Sequence, residues 1–325
     1  RARFGRHRGD CTPPPGTGLR ASRIIAAMRW HGRLAFAAAP LALAVVAAAA
    51  CTPPPPGPPS DSLAGQTLEN KGSDTMVNLA LAWAEAYQDL RPEVRISVTG
   101  GGSGTGLAGL IQGTVDLANA SRQIKPEEIA EARTNGIEPT EFIVARDAIA
   151  VIVHPSNPVD ELSLGQISAI YSGRIRNWRE VGGEDRPIVR LSRETNSGTH
   201  VYFLEAVLRR GDPEDETLFS RDTLLLPSSE GIIAEVRQNP NTIGYDGLGY
   251  VTPDVKVIAI AAEEGEPPVL PSSATVAAQQ YPIARDLYMY TPGAAGGLVA
   301  EYLEWILGPE GQRLVDELGF VPVGG

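Results

Sequence analysis

The chain has 325 residues, with 28 Lys and Arg against 39 Asp and Glu, four His and two Cys, and a formal net charge of −11. So acidic a balance argues against nucleic acid as a partner, and four histidines without a Cys/His/Asp cluster at ligand spacing give no metal site and call for no cofactor. The length is enough for two α/β lobes with cores of their own.

Residues 1–27 are Arg-rich without hydrophobic periodicity and read as an extension ahead of a true start at Met28. Arg29 and Arg33 followed by the apolar run Leu34–Ala50 make residues 28–50 a signal peptide. Ala48-Ala49-Ala50-Cys51 resembles a lipobox, with Cys51 as the lipidation site. An uncleaved membrane anchor is the alternative, and both place the remainder outside the membrane. Once the signal is removed Cys51 is the single cysteine, so no internal disulfide is expected. Residues 51–63 are Pro-rich and read as a polyproline spacer of ~30 Å. Residues 1–50 hold eight Arg and one Asp, which leaves 20 basic against 38 acidic residues beyond them, a net of −18. An anion site here must rest on local donors and not on the overall field.

The folded part runs from about Leu63 to Gly325. Gly72-Ser73-Asp74-Thr75 is a turn after a short strand, and Met76, Ala80, Trp83, Ala84 and Tyr87 then mark one face of a helix over residues 76–89. Ser73, Asp74 or Thr75 caps it.

Val94, Ile96 and Val98 alternate with Arg95 and Ser97 as in a strand, five glycines fall within Gly100–Gly106, and Leu107, Leu110 and Ile111 follow at helical spacing. This strand, glycine-rich turn and helix organise the chain. No Gly-Lys-Ser/Thr follows, so the loop is not a P-loop. Gly104, Gly106 and Gly109 fit a dinucleotide fingerprint, but the next strand ends in Ser121-Arg122 and not in an acid that holds a ribose; Arg122 leaves an NADP reading open. A plain glycine turn is a further alternative. The preferred reading is an oxyanion site, because glycines admit a ligand close to the backbone and Ser103 or Thr105 opens a helix whose first N–H groups favour an anion.

Ser121 and Arg122 close the strand near Val115–Ala120, where open α/β sheets place ligands. Ile149–His154 is an apolar strand entered through Arg146-Asp147, and Pro155 and Pro158 set a lobe crossing there. Leu162–Trp178 reads as a helix and a turn at Ser172-Gly173, with Arg174, Arg176 and Arg179 as a solvated face or partner contact. Ile188–Leu191 is a strand, followed by Arg193, then Ser197-Gly198-Thr199, then a helix marked by Val201, Leu204 and Leu208. Pro227-Ser228-Ser229 opens another helix, Ile243–Val251 is the return crossing, and Arg285–Tyr290 is a strand ahead of closing helices at 297–307 and 309–317. These crossings divide the chain into one lobe of residues 64–152 and 249–325 and another of residues 153–248.

Three turns of one kind, Ser73–Thr75, Ser103–Thr105 and Ser197–Thr199, each offer hydroxyls and helix N-terminal N–H groups, and Arg122 and Arg193 add forked donors suited to a tetrahedral oxyanion. On Gly72–Thr75, Gly100–Gly106, Asp116–Arg122, Asp147–His154, the spacing from Arg193 to Thr199, and Ile243–Val251, the chain resembles the phosphate-binding proteins of ABC-type phosphate importers (the PstS family) over residues 68–323. The resemblance implies a type II periplasmic-binding-protein fold, with mixed sheets flanked by helices on both faces and a ligand cleft between two lobes. It implies a monomeric, extracytoplasmic receptor that hands phosphate to a membrane permease and is not an enzyme. By matching position Thr75 and Ser103 bind from one lobe, and Arg193, Ser197, Gly198 and Thr199 from the other, with Ser73 in the first turn. Some members have Ser-Asp where this chain has Ser121-Arg122, so Asp147 stands as the replacement acceptor, with Arg122 as its partner. The alternatives are a receptor for sulfate or molybdate and, in another class, a phosphate-ester hydrolase built on Ser197 and His200.

Overall fold

A computed structural model describes residues 65–324. The expectations for residues 1–27, the signal peptide 28–50, Cys51 and the linker lie outside the described residues.

The first parallel unit is β1 (Thr67–Gly72), α1 (Val77–Leu90), β2 (Arg95–Thr99), α2 (Ser103–Ile111), β3 (Leu117–Ala120) and α3 (Pro126–Thr134). β1 pairs in parallel with β2 and β3, so the three carboxyl ends emerge on one edge. Each end runs into a turn that starts a helix or begins at Ser121. β4 (Thr140–Val153) follows, with β5 (Glu161–Ser163), α4 (Leu164–Tyr171), β6 (Val189–Arg193), α5 (Gly198–Phe203), β7 (Leu224–Leu226), α6 (Ser229–Gln238) and β8 (Thr242–Gly247). β9 (Lys256–Val257), β10 (Ala259–Ala261), α7 (Ser273–Ala277), β11 (Ala284–Thr291), α8 (Gly297–Leu307) and α9 (Pro309–Glu317) complete the described chain. The strand order is β2-β1-β3-β11-β4-β8-β6-β7.

β4 joins the two halves. Its residues 140–148 pair antiparallel with β11, and its residues 149–153 pair antiparallel with β8. The crossing therefore occurs inside the strand, next to Asp147, and not at the prolines that follow it. The expected return at 243–251 also moves. Residues 256–257 pair with the far half of β4, and residues 259–261 pair with β5. Ile258, Ile260, Val276, Tyr281 and Ile283 share one core with Ile149, Val151 and Val153. The chain rejoins the first sheet only at β11. A local pattern marks a strand but not the strand it pairs with, which explains the shift.

The two larger cores follow from periodicity. Leu79, Ala80, Trp83, Ala84 and Tyr87 are the buried face of α1, and the Trp83 indole N–H donates to Gly311 O at 2.8 Å, tying α1 to α9. On the other side Phe203 and Tyr245 stack with ring centroids 3.6 Å apart. The expected helix from Leu162 starts at Leu164, because Glu161–Ser163 pairs with β10 and Ser163 caps the helix through Gln166 N. Arg174, Arg176 and Arg179 are exposed, as a solvated face requires.

Candidate functional site

The carboxyl ends of β1, β2, β3 and β6 bring four turns together. Thr75, Ser103, Ser121 and Thr199 are all buried. Thr75 Oγ1 lies 2.7 Å from Thr199 Oγ1, across the two halves. Ser121 N donates to Ser103 Oγ at 3.0 Å, and the two serine hydroxyls are 3.3 Å apart. Ser197 caps α5 by accepting from Thr199 N at 3.2 Å. Gly198 closes the cluster: a Cβ there would fall 2.4 Å from Ser103 Oγ and 2.6 Å from Ser121 Oγ. Ser73 is buried beside this turn, its N–H donating to Asn119 O at 2.9 Å, while its hydroxyl has no hydrogen-bond partner. At the starts of α2 and α5, where N–H groups lack an intrahelical acceptor, Gly104 N is taken by Asn196 O and Thr199 N by Ser197 Oγ.

The glycine-rich turn does something the sequence does not reveal. Its backbone meets the loop between β6 and α5 and not open space. Gly104 N donates to Asn196 O, and Asn196 Nδ2 donates to Gly101 O, both at 2.9 Å. Gly102 holds φ +88, and a Cβ on it would lie 2.9 Å from Asn196 O. The glycines therefore let the two halves approach each other, as well as a ligand approach the backbone.

Three arginines differ in what they face. Arg193 is fully buried. Its Nη1 donates to Ser229 Oγ at 2.7 Å and Asp246 Oδ2 at 3.2 Å, and its Nη2 to Asp74 Oδ2 and Pro227 O, both at 3.0 Å. The fork is committed to protein acceptors, so the expected two-pronged grip on an anion is not available. Nε, buried and without a hydrogen-bond partner, is the N–H left over. Arg122 points elsewhere: its Nη1 and Nη2 reach the two carboxylate oxygens of Glu128 at 2.8 and 2.6 Å. Glu128 in turn accepts from Lys125 N at the start of α3. Burial raises the Glu128 pKa, but the Arg122 and Lys125 contacts outweigh it and hold the carboxyl below its ordinary range. Arg122 is thus a capping partner of α3 and not the partner of Asp147.

That partner is Arg285, a residue the sequence reading passed over. Asp147 is fully buried and accepts from Arg285 Nη2 at 2.9 Å, from Arg285 Nε at 3.3 Å and from Leu248 N at 3.2 Å. Burial pushes its carboxyl up to about 6 against the pull of Arg285, and nearby Asp246 adds to the rise. Arg285 also donates to Ser121 O at 2.8 Å and to Thr199 Oγ1 at 2.9 Å, and stands 3.5 Å from Thr75 Oγ1. Its signal was the period of β11: Arg285, Leu287 and Met289 occupy the inward phase. An arginine in an inward phase requires a buried partner. Asp246 and Ser229 were missed as well; Asp246 reads as one more residue of the short strand Thr242–Gly247.

His200 accepts or donates to Ser192 Oγ at 3.0 Å and stacks on Phe219, and burial lowers its pKa. It serves a core hydroxyl and not Ser197. Among the described residues no group of three or more His, Cys, Asp or Glu is placed to hold a metal ion.

The sequence matches the PBP superfamily domain over residues 57–310. It is 34% identical over 273 residues to the phosphate-binding protein PstS of Pseudomonas aeruginosa, covering 79% of this chain and 83% of that one. It is 31% identical to PstS of Bacillus subtilis, over 81% of this chain and 85% of the relative. A Clostridium perfringens structure assigned as a phosphate ABC transporter substrate-binding protein, with bound phosphate, is similar at a TM-score of 0.71 and 30% identity, over 79% of this chain and all of that one. The two-sheet fold crossed by β4 and the buried hydroxyl cluster between its halves agree with these matches: the chain belongs to the PstS family of phosphate-binding proteins, with the fold of type II periplasmic binding proteins.

Proposed function

We propose that the chain is the substrate-binding receptor of an ABC phosphate importer and catalyses no reaction. The observation that carries this is the meeting of Thr75, Ser103, Gly198 and Thr199 from two halves of the fold in one buried, donor-rich cluster. Donors of this kind fit a small tetrahedral anion, and relatives over most of the chain are phosphate-binding proteins. In this reading the first lobe, residues 65–148 and 284–324, supplies Ser73, Thr75 and Ser103. The second, residues 149–283, supplies Arg193 through Nε, the N–H of Gly198 and the Thr199 hydroxyl; Ser197 orders that turn by accepting from Thr199 N. Asp147 anchors Arg285 and does not face the anion, since its oxygens already accept three N–H groups. Arg122 stays on α3.

The finer reading adds an extracytoplasmic monomer tethered by lipid on Cys51, passing phosphate to its permease. The sequence around Ala48–Cys51 supports it, and among the described residues no helix is long and apolar enough to cross a membrane. Incorporation of labelled fatty acid that is lost in Cys51→Ser checks the tether; no labelling of the wild type overturns it. Isothermal titration with phosphate, sulfate and molybdate tests the ligand. Phosphate is expected to bind most tightly, and a tighter fit for sulfate or molybdate, or no binding of any, contradicts the reading. The hydrolase alternative loses its base, because His200 is engaged with Ser192.

A further inference from the structure

The anion must be held in a domain of net charge −18, so its compensation has to be local. Arg193 is the residue the sequence offers for that purpose, yet its fork lies between Asp74 and Asp246, two carboxylates for one cation. Arg122 is bound to Glu128 on α3. Arg285 remains. It faces a single carboxylate, Asp147, and Nη2 reaches the two threonine hydroxyls of opposite lobes.

We propose that Arg285 is a direct ligand of the bound phosphate, with Nη2 as the donor and its guanidinium as the main compensating charge of the site. The inference rests on the phosphate reading above and adds a residue to it. Three features carry it. The first is the triangle of Thr75 Oγ1, Thr199 Oγ1 and Arg285 Nη2, whose sides are 2.7, 2.9 and 3.5 Å. These are three groups able to donate, bonded to one another. An anion that enters between them accepts from all three at once, and the hydroxyls exchange a mutual bond for charge-assisted ones.

The second is preorganisation. Asp147 holds Nε and Nη2 from the paired strand, since Arg285 and Asp147 are register partners, and Ser121 O holds Nη1. The guanidinium is fixed in direction before any ligand arrives, so little side-chain entropy is lost on binding. The third is position. Arg285 also lines an open cavity of about 660 Å³ whose charged walls are Arg122, Lys125, Glu127, Glu205 and Asp286, so the same side chain faces both the buried cluster and this cavity. Arg285 lies over the Tyr202 ring, 5.5 Å from its centroid, which supports the guanidinium on its cavity side.

The test uses the purified full chain and inorganic phosphate. Arg285→Met alone leaves Asp147 buried and unpaired and can unfold the protein, so it is combined with Asp147→Asn, which removes both charges together. The double variant is expected to keep a cooperative thermal transition and to bind phosphate about 10- to 100-fold more weakly than wild type in isothermal titration. Asp147→Asn alone, which keeps the guanidinium and an amide oxygen that can accept from it, is expected to lose part of the affinity through looser positioning but clearly less than the double variant. That separates a ligand role for Arg285 from a structural role of the pair, which would weaken both variants alike. A double variant that binds phosphate within about twofold of wild type, or an Asp147→Asn variant as weak as the double, overturns the assignment while leaving the phosphate reading intact. A wild-type chain that takes up no phosphate overturns both.

Discussion

Gly198 sits where a single methyl group decides whether the two halves can meet. A Cβ there falls 2.4 Å from Ser103 Oγ, so Gly198→Ala must push the lobes apart or displace both serines. Overpacking of this kind costs about 1–3 kcal/mol. Phosphate affinity is expected to fall by that amount in titration while the melting temperature of the unliganded protein changes little. An alanine variant of wild-type affinity would show that the anion does not require this approach. Arg193→Ala removes the partner of the buried Asp246 and the half-buried Asp74 as well as a donor, and a loss of about 2–5 kcal/mol in phosphate binding is expected. Arg122→Ala, in contrast, should leave affinity within about threefold and lower stability by about 1–3 kcal/mol through Glu128 and α3, as urea titration will read. Asp147 gives a pH signature. Its ordinary pKa of 3.8 rises to about 6 in the folded protein because of burial, so folding favours the protonated form. That contribution is complete below 3.8 and is lost as pH rises through 6. Thermal melts of wild type should lose more stability between pH 4 and 6.5 than melts of Asp147→Asn, and parallel curves would contradict the assignment.

Strand-to-helix units are the scale at which the sequence is most readable. Gly297–Leu307 and Pro309–Glu317 form helices over the expected residues, because Gly308 and Pro309 punctuate the pattern between them. The turns at Thr75, Ser103 and Thr199 are legible in place but not in capping: Ser197 caps its helix through Thr199 N, whereas Met76 and Gly102 stand at the N-caps of α1 and α2 with no side-chain cap bond, so the expected hydroxyl caps there do not form. What stays hidden depends on pairing over long distances in the chain. The first half of β4 carries Glu141, Arg146 and Asp147 among its apolar residues and does not read as a strand until β11 covers it, 140 residues away in the Arg146–Asp286 pair. Arg285 is hidden for the same reason, as its partner Asp147 lies 138 residues earlier. The glycine-rich turn is half legible. Its composition announces a close approach, but Asn196, which makes that approach, lies in the opposite lobe. Gly102→Ala combines an unfavourable φ of +88 with a 2.9 Å contact to Asn196 O, and about 1–3 kcal/mol of strain is expected to fall on the closed form. A variant that closes on phosphate as the wild type does would remove this turn from the closing surface.

For the molecule as a whole, the proposed site, with donors from both halves, makes closure and binding one event. Asp74–Arg193, Thr75–Thr199 and Gly104–Asn196 all bridge the lobes, so an anion at their centre favours the closed population. The acidic surface brings no phosphate by long-range attraction, so the proposed site has to depend on local donors, the buried hydroxyls and two arginines held by fixed acceptors. The central claim is a place: a tetrahedral anion between Thr75, Ser103, Gly198 and Thr199, with Arg285 and Arg193 Nε beside it. Arsenate has the shape and protonation of phosphate and scatters anomalously, so the anomalous difference map of a crystal grown with arsenate locates it without reference to the protein. A single strong peak within hydrogen-bond distance of Thr75 Oγ1, Thr199 Oγ1 and Arg285 Nη2 is the expected result. A peak on α3 beside Arg122, or none between the lobes, would contradict the account.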